Sequence, residues 1–466
     1  DFEIRLAQRL LAKRPTAESK AMLKELQPEL AKVEEQELTN IRKQLKKLAV
    51  DWRPGPTAKN AKLEVTTSTN VSDNSVKAGE RIKMTVNVVN RGSAPIHQLK
   101  AISESDSGVL DDREFVFGYL KPGDKKSWTV DVEIPKDAPS RFDMVNLEFS
   151  DDDTVFKNKE AIAVNIVGND RPQFAFSYDV IDSSGDGVLT VGESATFRVF
   201  VKNNRQADSA ETLIYLKNLA KEAVYLKKGR QKLDKIPKGA TTKIEFKFDV
   251  KEAPKENEIK MEVDIYDTTY REYTEKKFSL PFSKTDAKRS DQSGLATVKS
   301  GPLKVFVAAD SRADVAAVAK QGAKLPIVGK TNGWTQVDLE GRRGWVENKS
   351  VTLDTTAGDL AGLKRDVMFQ PPSISVKPDK FMTSKSKVSL KGNASDDSAV
   401  KDYYIFVYNR DNSKLNAKKL EYVRAKGEQV EIATHVPLFK GMNRIAIVAR
   451  DDDGMSTTES TYVYRK

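Results

Sequence analysis

Apolar and polar residues alternate strictly along much of this chain, as in Leu63 to Thr67, Ile82 to Val89, Trp128 to Ile134 and Ala195 to Val201. Period two is the pattern of half-buried β-strands, whose successive side chains point to opposite faces of a sheet. Gly, Pro and Asp turns separate the runs at the intervals of stacked antiparallel sheets. The first 50 residues follow a different rule. Leu23, Leu26, Leu30 and Val33, then Leu38, Ile41, Leu45 and Leu48, recur three and four apart and predict an amphipathic helical segment, with Pro28 suited to a helix first turn. The prolines and glycine of Trp52-Arg53-Pro54-Gly55-Pro56 end it in a short stiff linker.

The strand pattern repeats on a scale of whole domains. Val76-Lys77-Ala78-Gly79-Glu80 and the alternating run to Asn90 return as Leu189-Thr190-Val191-Gly192-Glu193 and the run to Asn203. Leu120-Lys121-Pro122-Gly123 is answered by Ile236-Pro237-Lys238-Gly239, and Leu147-Glu148-Phe149 by Met261-Glu262-Val263. Three matched blocks in the same order imply a duplication, and a period of about 115 residues is a sandwich rather than a solenoid repeat. The expected fold class is therefore mainly β, with tandem immunoglobulin-like β-sandwiches, an SH3-like barrel and an N-terminal helical segment. The expected order is 1–57 helical segment and linker, 58–168 sandwich 1, 169–285 sandwich 2, 294–355 barrel and 370–466 sandwich 3. The polar stretch Ser283 to Ser293 is expected to be a linker between small, separately folded modules.

The second copy carries something the first lacks. Asp182-Ser183-Ser184-Gly185-Asp186-Gly187-Val188-Leu189-Thr190-Val191-Gly192-Glu193 has the spacing of a twelve-residue calcium loop. Asp182, Ser184 and Asp186 would offer hard oxygens, Val188 its carbonyl, Gly187 the sharp turn and Glu193 a bidentate carboxylate. Strand-like runs flank it instead of helices, so the loop would pin two strands. An Asx-rich hairpin turn without metal is the alternative. In the first copy Thr69 stands at position one and Asn74 where the glycine should be, so only the glutamate survives. Asp396, Asp397 and Asp451 to Asp453 are a second acidic set, read as turn residues before a cation site.

In the barrel segment, Leu303-Lys304-Val305-Phe306, Asn332-Gly333-Trp334 and Gly344-Trp345-Val346 resemble the bacterial SH3-like domains. That family often binds cell-wall or other extended peptides, which makes Phe306 and Trp334 candidate ligand-binding residues. The two sandwich copies resemble bacterial immunoglobulin-like modules that sit behind catalytic or adhesive domains. Taken together, the opening Asp-Phe-Glu-Ile-Arg-Leu-Ala, the Gly-Asp-Gly loop, the barrel and the last sandwich are similar to the region that follows the protease and PDZ domains in large tail-specific (carboxy-terminal processing) proteases of Gram-negative bacteria. That family uses a serine–lysine dyad, for which this chain offers no matching segment.

Composition narrows the chemistry. The chain has no cysteine and two histidines in 466 residues, which removes disulfides, cysteine–zinc sites and most histidine catalysis. Its net charge of +10 comes from 78 basic and 68 acidic residues interleaved throughout, so no nucleic-acid partner is expected. No stretch approaches a membrane span. No phosphate loop, His-Glu-x-x-His or Gly-x-Ser-x-Gly phrase occurs. The chain begins at Asp1 rather than Met and is expected to be a cut product with an upstream domain missing. The expected function is non-catalytic recognition and scaffolding in an exported bacterial protein, periplasmic or secreted, with calcium as its cofactor. The expected partner is a protein or peptide, or peptidoglycan, and an upstream protease domain is expected in the same polypeptide. A stand-alone adhesin or peptidoglycan-binding protein is the rival.

Overall fold

The computed structural model describes residues 28, 31–33, 35–37, 39–41, 43–56, 60–151, 155–410 and 419–466. Pro28 and the described residues from 31 to 47 are helical, and Val33, Ile41 and Leu48 of the apolar stripe are exposed. Leu23, Leu26, Leu30 and Leu38 lie outside the described residues. The linker after the helix packs on the first sandwich, where the Arg53 guanidinium stands 4.5 Å over the Tyr119 ring and Tyr119 N–H donates to the Asp51 carbonyl at 2.7 Å.

The chain is mainly β, built from immunoglobulin-like sandwiches and one small barrel, as the alternation requires. In the first sandwich a three-stranded sheet, in the order Leu63–Thr69, Arg81–Asn90, Lys125–Glu133, faces a five-stranded one. Along Arg81–Asn90 the even positions Ile82, Met84, Val86 and Val88 are all buried, which is the physical content of the period-two pattern.

The second sandwich repeats the plan. Phe174–Asp182, Ser194–Asn203, Thr241–Val250 and Val224–Leu226 form one sheet, and Arg230–Leu233, Thr212–Asn218, Glu258–Asp267 and Tyr273–Pro281 the other. The duplication is visible at single atoms. The buried Asn90 amide donates to the carbonyls of Ala94 and Leu120 at 2.8 and 3.2 Å, and Asn203 donates to those of Ala207 and Ile236 at 2.8 and 3.1 Å. Each asparagine carbonyl accepts a 2.8 Å bond from a glycine of the matched turn, Gly123 in one copy and Gly239 in the other.

Residues 294–354 form the barrel, in the order Leu303–Phe306, Arg342–Glu347, Trp334–Leu339, Val315–Thr331, Gly294–Val298, Val351–Asp354. Pairing of Leu303–Phe306 with Val315–Thr331 closes it. Barrel and second sandwich are not separate modules, because one continuous core runs from Phe197, Phe246 and Ile265 through Leu189 and Val307 to Ala317 and Val337. The Ser283 to Ser293 segment is accordingly no free tether. Ser290 and Lys330 exchange backbone bonds, and Arg289 donates to the Val328 carbonyl at 2.9 Å. Sequence reasoning missed this because the segment's polarity is that of a solvated loop, whereas its backbone is held by groups far away in the chain.

The last sandwich has its own core, including Leu390, Ile405, Ile432, Ile447 and Val463. Its strands Lys387–Asn409 and Lys419–Pro437 are long, and Lys387–Asn409 pairs first with Ser373–Pro378 and then with Gly441–Asp451, with a break in register between Ser395 and Val400.

Candidate functional site

The loop from Asp182 to Glu193 joins the strands Phe174–Asp182 and Ser194–Asn203, which pair antiparallel from Ala195↔Asp182 onward. Gly185, Gly187 and Gly192 all have positive φ, at 73°, 84° and 92°, so the chain can turn sharply enough to fold its carboxylates inward. Asp182 accepts from the N–H of Asp186 at 2.8 Å and of Gly187 at 3.3 Å, and from the Ser184 hydroxyl at 2.6 Å. Asp186 accepts from Val188 N–H at 2.9 Å and Ala287 N–H at 2.6 Å, while Glu193 accepts from Ser184 and Thr190 N–H groups at 3.1 and 2.8 Å.

Asp182, Asp186 and Glu193 are thus buried, and no lysine or arginine forms an ion pair with any of them among the described residues. Burial raises the Asp186 carboxyl above its usual range, against the backbone bonds that lower it. Three buried carboxylates without a countercharge fit a hard cation in donor type. Their convergence is incomplete, for these three do not bring one oxygen each within 4.8 Å of one another. Each Glu193 oxygen accepts one amide and keeps a lone pair, so capture of an ion would require the three carboxylates to draw together rather than to give up those bonds. Val188 is placed at the seventh position, where its carbonyl would serve. In the first copy Thr69 Oγ1 donates to Asn74 Oδ1 at 2.7 Å, and a tight turn with Asp73 and Asn74 at positive φ replaces the loop.

The loop also carries the barrel. Ala309 N–H donates to the Gly187 carbonyl at 3.0 Å, and a Cβ placed on Gly187 would stand 2.4 Å from the Trp345 ring. Close by, Arg343 N–H donates to Asp179 at 2.6 Å, Arg198 pairs with the same carboxylate, and Tyr178 donates to Asp314 at 2.7 Å. Trp345 is therefore a docking residue. Phe306 and Trp334 are each half-buried, with ring centroids 5.8 Å apart and planes at 87°, and Phe306 also packs against the shared core.

Two further acidic groupings are present. On the outer face of Glu258–Asp267, Glu262 and Asp264 lie beside Glu275, with an oxygen from each within 4.8 Å of the others. Lys217 already occupies this group, paired with Glu262 at 2.7 Å and with Asp264. Strand alternation places Glu262 and Asp264 on one face, but only the pairing with Glu275 assembles the cluster, so the sequence did not reveal it. In the last sandwich Asp396 and Asp451 are buried, while Asp397 pairs with Arg365 at 2.9 Å. Burial, reinforced by Asp396, pushes Asp451 up to about 7.

Residues 301–352 match the bacterial SH3 domain family. The match covers the barrel strands from Leu303–Phe306 to Arg342–Glu347, and so includes both Phe306 and Trp334. No curated protein matches the chain. Similar solved structures include a protein of unknown function from Porphyromonas gingivalis W83, 12% identical over 47% of this chain and 99% of that one, with a TM-score of 0.16. Red sea bream transglutaminase is 10% identical over 49% of this chain and 32% of its own, with a TM-score of 0.19. Escherichia coli alpha-2-macroglobulin activated by porcine elastase is 10% identical over 86% and 44%, with a TM-score of 0.16. This chain thus spans less than half the length of the last two, and scores this low bear on neither fold nor activity. Among the described residues no helix is long and apolar enough to cross a membrane.

Proposed function

We propose that this chain is a non-catalytic recognition and scaffolding region of an exported bacterial protein, binding a protein or cell-wall partner through its SH3-like barrel. The observation that carries this reading is the bacterial SH3 match over residues 301–352 together with the paired, half-buried rings of Phe306 and Trp334. Two half-buried rings in edge-to-face contact offer an apolar surface on which side chains of an extended peptide can pack. The barrel is held on the second sandwich, so this surface is presented on a shared core, which lowers the entropy cost of binding. The narrower expectation of a processing-protease tail finds no link in the comparisons, and a stand-alone wall-binding protein is equally compatible with the barrel.

Cosedimentation of the purified chain with peptidoglycan sacculi tests the reading. Binding is expected, with loss of at least about tenfold in affinity for Phe306→Ala or Trp334→Ala if these rings anchor the ligand. Hydrolysis of a peptide or glycan by the chain, abolished by a point change within it, would overthrow the non-catalytic reading.

Calcium at Asp182 to Glu193 is the second part of the proposal, supported by the three buried carboxylates that face only amides and one hydroxyl. Calorimetric titration of the full chain with calcium is expected to give heat that Asp186→Ala removes. A heatless titration of the parent would end the calcium proposal and leave the barrel's role intact.

A further inference from the structure

The outer face of the second sandwich breaks a rule of sheet pairing. Across the strands Thr212–Asn218, Glu258–Asp267 and Tyr273–Pro281, one row reads Lys217, Glu262, Lys277, an acid between two bases. The next row reads Tyr215, Asp264, Glu275, which sets two carboxylates directly opposite each other with no base in line. Like charges at opposed positions of an antiparallel pair are destabilising, and local rules are broken where function needs it. The bases nearby do not cancel the excess. Lys217 reaches Glu262 at 2.7 Å and the Oδ2 of Asp264, and the largely exposed Lys277 stands 3.5 Å from Glu262. Among the described residues Glu275 forms no ion pair, and its Oε2 accepts the Tyr273 hydroxyl at 2.8 Å. Asp264 is 4% exposed, and its Oδ1 is buried with no hydrogen-bond partner. Such an oxygen is costly to leave unmatched. Burial raises the Asp264 carboxyl above its ordinary value, against the pull of Lys217.

Geometry and donor type select the partner. One oxygen from each of Glu262, Asp264 and Glu275 lies within 4.8 Å of the others. Oxygens on opposite sides of a single hard ion stand about 4–5 Å apart, so these three can share one. All are carboxylate oxygens, the donors of magnesium and manganese rather than of copper or a structural zinc. Backbone carbonyls of the paired strands are spent in the ladder, so the face cannot build the cage of about six to eight oxygens that calcium takes. A six-coordinate ion instead keeps several waters, and the exposed Glu275 leaves the solvent side open for them. A ligand that must reach an oxygen as covered as those of Asp264 is small, which favours a bare ion over the guanidinium of a partner protein. Lys217, whose side chain is 46% exposed, can leave for solvent as the ion takes over its neutralising role.

We propose that Glu262, Asp264 and Glu275 form a site for a small hard divalent cation of the magnesium and manganese class. The site is separate from the Asp182 to Glu193 loop and does not depend on the barrel's role. Electron paramagnetic resonance of manganese added to the full chain carrying Asp186→Ala counts bound ions with the loop disabled. About one bound manganese per chain is expected. Glu275→Gln in the same background should weaken binding by at least about tenfold, a loss that even changes around a metal site commonly bring. Glu275 is exposed, so this exchange should leave the fold intact, which an unchanged far-ultraviolet circular dichroism spectrum verifies. Glu245→Gln removes an exposed acid from the other sheet and should leave manganese binding as it was. Absence of bound manganese, or equal binding with and without Glu275→Gln, would overturn the proposal. Equal losses in Glu275→Gln and Glu245→Gln would overturn it too, since they would show diffuse attraction to an acidic surface.

Discussion

Two buried side chains show how much a single residue decides in this molecule. Asn90 and Asn203 each satisfy two backbone carbonyls, in positions where water has no access. Truncation to alanine leaves those acceptors unpaired, a loss of about 1–3 kcal/mol at either site. Because the two environments repeat, Asn90→Ala and Asn203→Ala should lower the stability of their sandwiches by similar amounts in urea melts, and a large inequality would deny that the repeats are held alike. Asp451 works in the opposite sense. Its carboxyl titrates near 7 in the folded chain, against an ordinary value of 3.8, so folding favours the protonated form. The contribution of this group to stability is therefore full below about pH 4, falls as pH rises between the two values, and is lost above about 7. Asp451→Asn keeps an acceptor for the Met455 N–H and cannot ionise. It is expected to raise the melting temperature of the last sandwich at pH 8 and change it little at pH 4; equal effects at both would refute the assignment.

Among elements, the Asp182 to Glu193 loop has two tasks, since it closes a hairpin and seats the barrel. Gly187 is at φ 84° with the Trp345 ring where its side chain would be, so Gly187→Ala adds both left-handed strain and overpacking, together about 2–4 kcal/mol. Near-ultraviolet circular dichroism and tryptophan fluorescence should show Trp345 moving toward solvent in that variant. An unchanged spectrum would mean that the contact is dispensable. The glycine's place in a tight loop was legible from Gly-Asp-Gly, and the strands on either side from Ala195 to Val201, because both signals are local. The use of Trp345 was not, since it depends on two surfaces that meet only after each has folded. The side of Lys387–Asn409 that carries Tyr404, Phe406 and Tyr408 was hidden for another reason. Tyr403-Tyr404-Ile405-Phe406-Val407-Tyr408 is apolar in both phases, so alternation vanishes and the run looks like a strand buried on both sides.

For the molecule as a whole, the continuity of one core across the second sandwich and the barrel governs how they unfold. A barrel of about 60 residues buries too little of its own surface to be robust, and here its stability draws on apolar contacts with Leu189 and with residues around Tyr178. The last sandwich has a core of its own, and only Met455 of its final hairpin joins the shared one. Hydrogen exchange of the full chain is therefore expected to show the amides of Phe174–Asp182 and Trp334–Leu339 opening in one cooperative step, with those of Gly441–Asp451 opening in another. Variants that loosen Trp345 should lower protection in the barrel and the second sandwich together. Loss of protection in the barrel alone would mean that the shared core does not couple them, and the ring pair of Phe306 and Trp334 would then ride on a mobile module with a correspondingly weaker hold on its ligand.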